Sequence, residues 1–130
     1  MMFAKGSKWI AAAGVVLLLA VTADSLVPVP WAIRSGLHWL IEHFLAYFAL
    51  TLLFCLAWPR PFIVAVALMA VAGVIEALQG LTADRIPDLA TAFCGAAGVV
   101  VGALLASLVT DVWQTSLWRK GRGRSRAASQ

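Results

Sequence analysis

Four apolar stretches of membrane-spanning length, each closed off by proline or polar residues, constrain this chain more than any other feature. They run from about Trp9 to Leu26, Leu37 to Trp58, Phe62 to Leu81 and Asp88 to Trp113. A helix needs ~20 apolar residues to cross the hydrocarbon of a bilayer, where the backbone has no partner but itself. Val27-Pro28-Val29-Pro30 ends the first stretch and Pro59-Arg60-Pro61 forces a tight turn after the second, because proline cannot continue a helix easily. A polar loop, Thr82 to Pro87, follows the third. Pro87 before Asp88 suits a helix start, with the acid at the positive end of the helix dipole.

The expected fold is therefore an all-α membrane protein, a four-helix transmembrane bundle over residues 9–113, with helices about 9–26, 37–58, 62–81 and 88–113. Residues 1–8 form an N-terminal flank, and 114–130 a basic, Gly/Ser-rich tail expected to be disordered. Composition agrees: 62% hydrophobic and 12% charged residues, against roughly 45–50% and 25% in soluble domains. With 130 residues there is no room for a soluble catalytic domain beside four spans. Lys5, Lys8, an apolar core and Val21-Thr22-Ala23 also have the form of a signal peptide cleaved after Ala23. The apolar run continues into Leu26 and Val27, which favours a retained helix.

The net charge of +4 does not point to nucleic acid, because the basic residues gather at the chain ends. They fit the excess of Lys and Arg on the cytoplasmic side of membrane proteins. Lys5, Lys8, Arg60, Arg119, Lys120, Arg122, Arg124 and Arg126 all share one side of a four-span chain. Only Arg34 and Arg85 lie on the other. Both termini are thus expected in the cytoplasm, with Trp9, Trp58, Trp113 and Trp118 at the inner interface and Trp31 and Trp39 at the outer one. Cys55 and Cys94 lie in apolar runs, form no C-x-x-C pair and read as structural thiols.

The few polar residues inside the spans are clustered. An ionised side chain in a membrane helix costs roughly 2.5–3.5 kcal/mol on insertion scales, so it needs a partner or a task. One run is His38, Glu42, His43 and Tyr47; the other is Glu76, Gln79, Arg85 and Asp88. His43 lies about 9 Å in from the start of its helix and Glu76 about 8 Å from the end of its own, at 1.5 Å per residue. The two runs are expected to meet beneath the outer interface, with Arg85 reaching back to Glu76 or Asp88. His38 and Glu42 share a face, as do His43 and Tyr47, and Glu76 and Gln79. No metal is expected: His38-x-x-x-Glu42-His43 misses both H-E-x-x-H and H-x-x-E-H. No cofactor is implied, and no G-x-S-x-G nucleophile motif is present. On the fourth helix Cys94, Gly98, Gly102 and Ala106 repeat every four residues, a register that lets helices approach closely within the chain or between subunits of a homo-oligomer.

These motifs resemble the VanZ-like family of bacterial membrane proteins. The first block is His43-x-x-x-Tyr47-x-x-Leu50; the second is Glu76-x-x-Gln79, Arg85, Ile86-Pro87-Asp88, then Gly98 and Gly102. The resemblance covers about Asp24 to Leu105. The chain departs from the family pattern at Thr91, where a second Asp is frequent, at Gly95, where an Asn is common, and at Leu40, where a Lys is often found. The resemblance implies a multi-pass protein of the bacterial cytoplasmic membrane acting at the cell envelope, in a family named for glycopeptide-antibiotic resistance.

Three functions stay open on the sequence. The leading one is binding of a cell-envelope lipid or glycolipid headgroup by His43, Tyr47, Glu76, Gln79, Arg85 and Asp88, with Arg85 pairing an anionic group. The second is a scaffold or assembly subunit packing through Gly98 and Gly102. The third is a membrane-embedded enzyme with Glu76 or His43 as general base.

Overall fold

A computed structural model describes residues 4–28, 30, 32, 35–82 and 88–127, with side chains described from Lys8 to Val112 within them. It is all-helical: α1 Ala4–Leu26, α2 Trp39–Ala57, α3 Pro61–Gln79 and α4 Leu89–Ala127. Within these helices, Lys8–Leu26, Trp39–Ala57, Pro61–Gln79 and Leu89–Val112 are each long and apolar enough to cross a membrane.

The helix ends follow local chemistry. Pro61 sits in the first turn of α3, where its missing N–H costs nothing. His38 caps α2, its Nδ1 accepting from the Leu40 N–H at 3.4 Å. The helix therefore begins at Trp39 and not at Leu37, and His38 is a cap where the sequence placed it on a face with Glu42. Asp88 caps α4, Oδ1 accepting from the Ala90 N–H at 3.1 Å. The backbone of α4 continues to Ala127, so residues 114–127 are helical where the sequence suggested irregular chain. No proline interrupts that stretch, and its Gln, Leu, Arg and Lys residues are good helix formers.

The helices alternate in direction. The end of α1, the start of α2, the end of α3 and the start of α4 meet at one end of the bundle, joined by Gln79 to Ser25 and by Glu76 to Asp88. Trp9, Trp58 and Arg60 mark the other end. α2 is the central element: it packs most extensively on α4, and next on α1. Glycine makes the α2–α4 approach possible. A Cβ on Gly98 would fall on the Phe44 carbonyl oxygen, and one on Gly102 would lie 2.9 Å from the Thr51 Cβ. Gly14 brings α1 against the Phe54 ring in the same way, at 3.3 Å.

The core is a narrow stripe of Tyr47, Leu50, Cys55, Val64, Leu68 and Val99. Large apolar residues such as Val16, Leu19, Ile63, Val66, Leu104 and Leu108 point outward and are exposed. Helices apolar on both faces are what a lipid environment accommodates and water does not. Hydroxyls within the spans return to their own helix carbonyls: Thr22 to Leu18, Thr51 to Tyr47 and Thr110 to Ala106, at 2.7–2.8 Å. No buried side-chain nitrogen or oxygen among the described residues lacks a partner.

Candidate functional site

His43 on α2 lies about 6 Å, and Glu76 on α3 about 4.5 Å, from the ends of their helices at the shared end of the bundle. Together with Tyr47 they line one cavity of about 390 Å³ between α2, α3 and α4. The two polar runs of the sequence therefore meet, through these three residues. The rest of the wall is small or apolar, with Met69, Ala72 and Gly73 from α3 and Ala92, Gly95 and Ala96 from α4.

Each polar group is held by its own local structure. His43 and Tyr47, one helical turn apart, face each other with ring centroids at 5.2 Å and planes tilted by 51°. Tyr47 is 1% exposed, so its ring is fixed by the core. Gly95 supports both rings: a Cβ there would stand 3.2 Å from Cδ2 of each. Glu76 is anchored from the opposite side. Its Oε1 accepts the backbone N–H of Asp88 at 2.9 Å, which ties the end of α3 to the start of α4. That bond satisfies one of the open amides before the first turn of α4 and offsets part of the cost of placing a carboxyl there.

The other expected site residues are placed elsewhere. Gln79 does not line the cavity; it is buried, and Nε2 donates to the Ser25 carbonyl of α1 at 3.0 Å. Asp88 does not line it either, its side chain capping α4 and its N–H engaging Glu76. Arg85 lies outside the described residues. Glu42 accepts from the Ser35 N–H at 2.8 Å and from the Ser35 hydroxyl at 2.5 Å, which folds the approach to α2 back onto its first turn. Gly98 and Gly102 are buried against α2 of the same chain.

Seven of the ten residues lining the cavity were not expected from the sequence, Gly95 and Gly73 among them. Gly95 carries a legible signal, the series Gly95-x-x-Gly98-x-x-x-Gly102, set one residue off the four-residue register that starts at Cys94. Gly73 had none beyond a lone glycine in an apolar run. Nothing lies within 4 Å of where its Cβ would stand, so it opens space and does not close a contact.

Chemically, the cavity offers a carboxyl, an imidazole and a phenol at one end and an aliphatic wall beyond them. That combination suits an amphiphile whose polar part carries hydrogen-bond donors and acceptors and whose remainder is apolar. Among the described residues no group of three or more His, Cys, Asp or Glu side chains is placed to hold a metal ion. No protein-family model matches the chain, and neither a curated protein nor a solved structure shows significant similarity to it.

Proposed function

We propose that this is a VanZ-like protein of the bacterial cytoplasmic membrane that binds the polar headgroup of a cell-envelope lipid or glycolipid in the cavity between α2, α3 and α4. The observation that carries the reading is the convergence of His43, Tyr47 and Glu76, from two separate helices, on one cavity. Bringing three polar side chains together within apolar spans is costly unless a ligand or a partner repays it. The Glu76 carboxylate accepts from hydroxyl or amide groups of the ligand, and His43 and Tyr47 close the polar end from α2. Arg85, three residues before Asp88, supplies a cation for an anionic substituent. The excess of Lys and Arg at the chain ends and in the α2–α3 turn sets both termini in the cytoplasm, which turns the cavity mouth outward. A link to envelope maintenance or to glycopeptide resistance follows from the family resemblance.

Gly73 provides the test. A leucine there projects into open space, so Gly73→Leu is expected to fill the cavity while insertion and thermal stability stay at wild-type levels. Lipids co-purifying with the wild type and with Gly73→Leu from the same bacterial membranes are compared by mass spectrometry. The reading expects one hydroxylated or glycosylated lipid class enriched over the bulk membrane with the wild type and absent from Gly73→Leu. Identical lipid profiles for the two proteins would overturn it.

A further inference from the structure

A second recess lies at the opposite end of the bundle and shares no residue with the cavity. It is an apolar groove of about 370 Å³ between α1 and α3, with α2 as its floor. It exists because α1 packs chiefly on α2 and α3 chiefly on α4, so that α1 and α3 meet only sparsely. Leu18 forms one wall, Phe54 and Trp58 the floor, and Ile63, Ala67 and Val71 part of the α3 wall. Arg60 stands at its end, exposed, in the turn between α2 and α3.

Its dimensions are those of one leaflet. From Arg60 to Val71 the α3 axis advances about 16 Å at 1.5 Å per residue. Half of a bilayer's hydrocarbon core is about 15 Å. The groove therefore begins at the level of the membrane interface, where Arg60 and Trp58 sit, and ends near the midplane. Everything along it below Arg60 is aliphatic or aromatic. No acidic residue lines the groove beside Arg60. Of the described carboxylates, Asp24, Glu42, Glu76 and Asp88 belong to the other end of the bundle, and Asp111 on α4, which shares this end, is not part of the groove wall. A cation at the mouth of an apolar slot one leaflet deep, with no carboxylate in the wall, is complementary in charge and length to a phospholipid bearing an anionic headgroup.

We infer that this groove is a binding site for one anionic glycerophospholipid. An acyl chain lies between α1 and α3 along Leu18, Ala67 and Val71, and the phosphate is held by the Arg60 guanidinium with the Trp58 indole at headgroup level. The bound chain completes the α1–α3 contact that the protein leaves open. This site is independent of the headgroup cavity and stands or falls separately from it.

The test is native mass spectrometry of the full chain in detergent, titrated with phosphatidylglycerol or with phosphatidylcholine of the same acyl chains. The wild type should retain one phosphatidylglycerol in preference to phosphatidylcholine. Arg60→Gln should weaken phosphatidylglycerol retention about fivefold, the effect of one interfacial cation, and Lys8→Gln, an equal change of charge outside the groove, should leave it unchanged. Ala67→Phe should displace the retained lipid by filling the groove, with the helical circular-dichroism spectrum unaltered. Equal retention of the two lipids by the wild type would overturn the assignment. So would equal losses in Arg60→Gln and Lys8→Gln, which would show only diffuse attraction to anionic lipid. A dimer of the wild type that dissociates in Ala67→Phe would also overturn it, by showing that a second copy covers the groove.

Discussion

The Glu76 carboxylate accepts the backbone N–H of Asp88 at 2.9 Å, so one side chain both closes the connection between α3 and α4 and stands in the wall of the candidate cavity. The two tasks make different demands. The first needs only an acceptor oxygen at that place; the second, if the cavity binds hydrogen-bond donors, needs the negative charge. Substitutions at position 76 can therefore separate folding from function.

Glu76→Gln keeps a carbonyl oxygen for the Asp88 N–H, and the protein should insert and unfold like the wild type while losing lipid co-purification. Glu76→Ala leaves that half-buried amide without its acceptor, at a cost of about 1–3 kcal/mol. Unfolding both variants in mixed micelles, followed by circular dichroism, checks the difference. Equal destabilisation by the two substitutions would show that the charge, and not the acceptor, holds the α3–α4 connection.

The glycines of α3 and α4 should respond in opposite ways. At Gly98 an added Cβ meets the Phe44 carbonyl, backbone that cannot yield without moving α2. Gly98→Ala should cost about 1–3 kcal/mol through overpacking, and Gly98→Leu should prevent accumulation of the protein. Gly73→Ala meets nothing within 4 Å and should be neutral or slightly stabilising. The same micelle unfolding measurement ranks the two alanine variants, and the amount of protein in the membrane reads Gly98→Leu.

The spans were legible because apolar length and proline breaks are properties of the chain itself. The rotation of each helix was not. Glu76 and Gln79 are three residues apart and so differ by about 60° around the helix. In a bundle that is enough to send Glu76 to α4 and Gln79 to α1. His43 and Tyr47, about 40° apart, stay together, which is why that pair transferred from sequence to site intact. His38 was misplaced because histidine is a rare cap: its Nδ1 takes the role that Ser, Thr, Asn or Asp usually fills. Asp88, a favoured cap after proline, was readable for the same reason.

Gln79 is expected to act on stability. Its amide donates to the Ser25 carbonyl across 54 residues of sequence, and both residues are buried. Gln79→Leu removes the donor and strands that carbonyl. Interhelical hydrogen bonds in membranes average about 0.6 kcal/mol and reach about 1.7, and a loss within that range is expected. Lipid retention in the cavity should persist, because Gln79 is not part of its wall. Loss of retention without loss of stability would return Gln79 to the ligand.

Gly95 should show the reverse balance. A methyl group there would stand 3.2 Å from the His43 and Tyr47 rings, close enough that one of them must shift by a few tenths of an ångström. Tyr47 is locked by the core, whereas His43 is only partly buried and borders the cavity. In Gly95→Ala the imidazole is therefore the group that moves, and it moves into the cavity. Stability should fall by less than about 1.5 kcal/mol, well short of Gly98→Ala, while retention of the co-purifying lipid drops by a larger factor than that destabilisation alone would produce. The chemical shift of the His43 ring in protein labelled at histidine reports the displacement directly. An unchanged His43 signal, or a stability loss as large as that of Gly98→Ala, would show that Gly95 serves the α2–α4 contact and not the cavity.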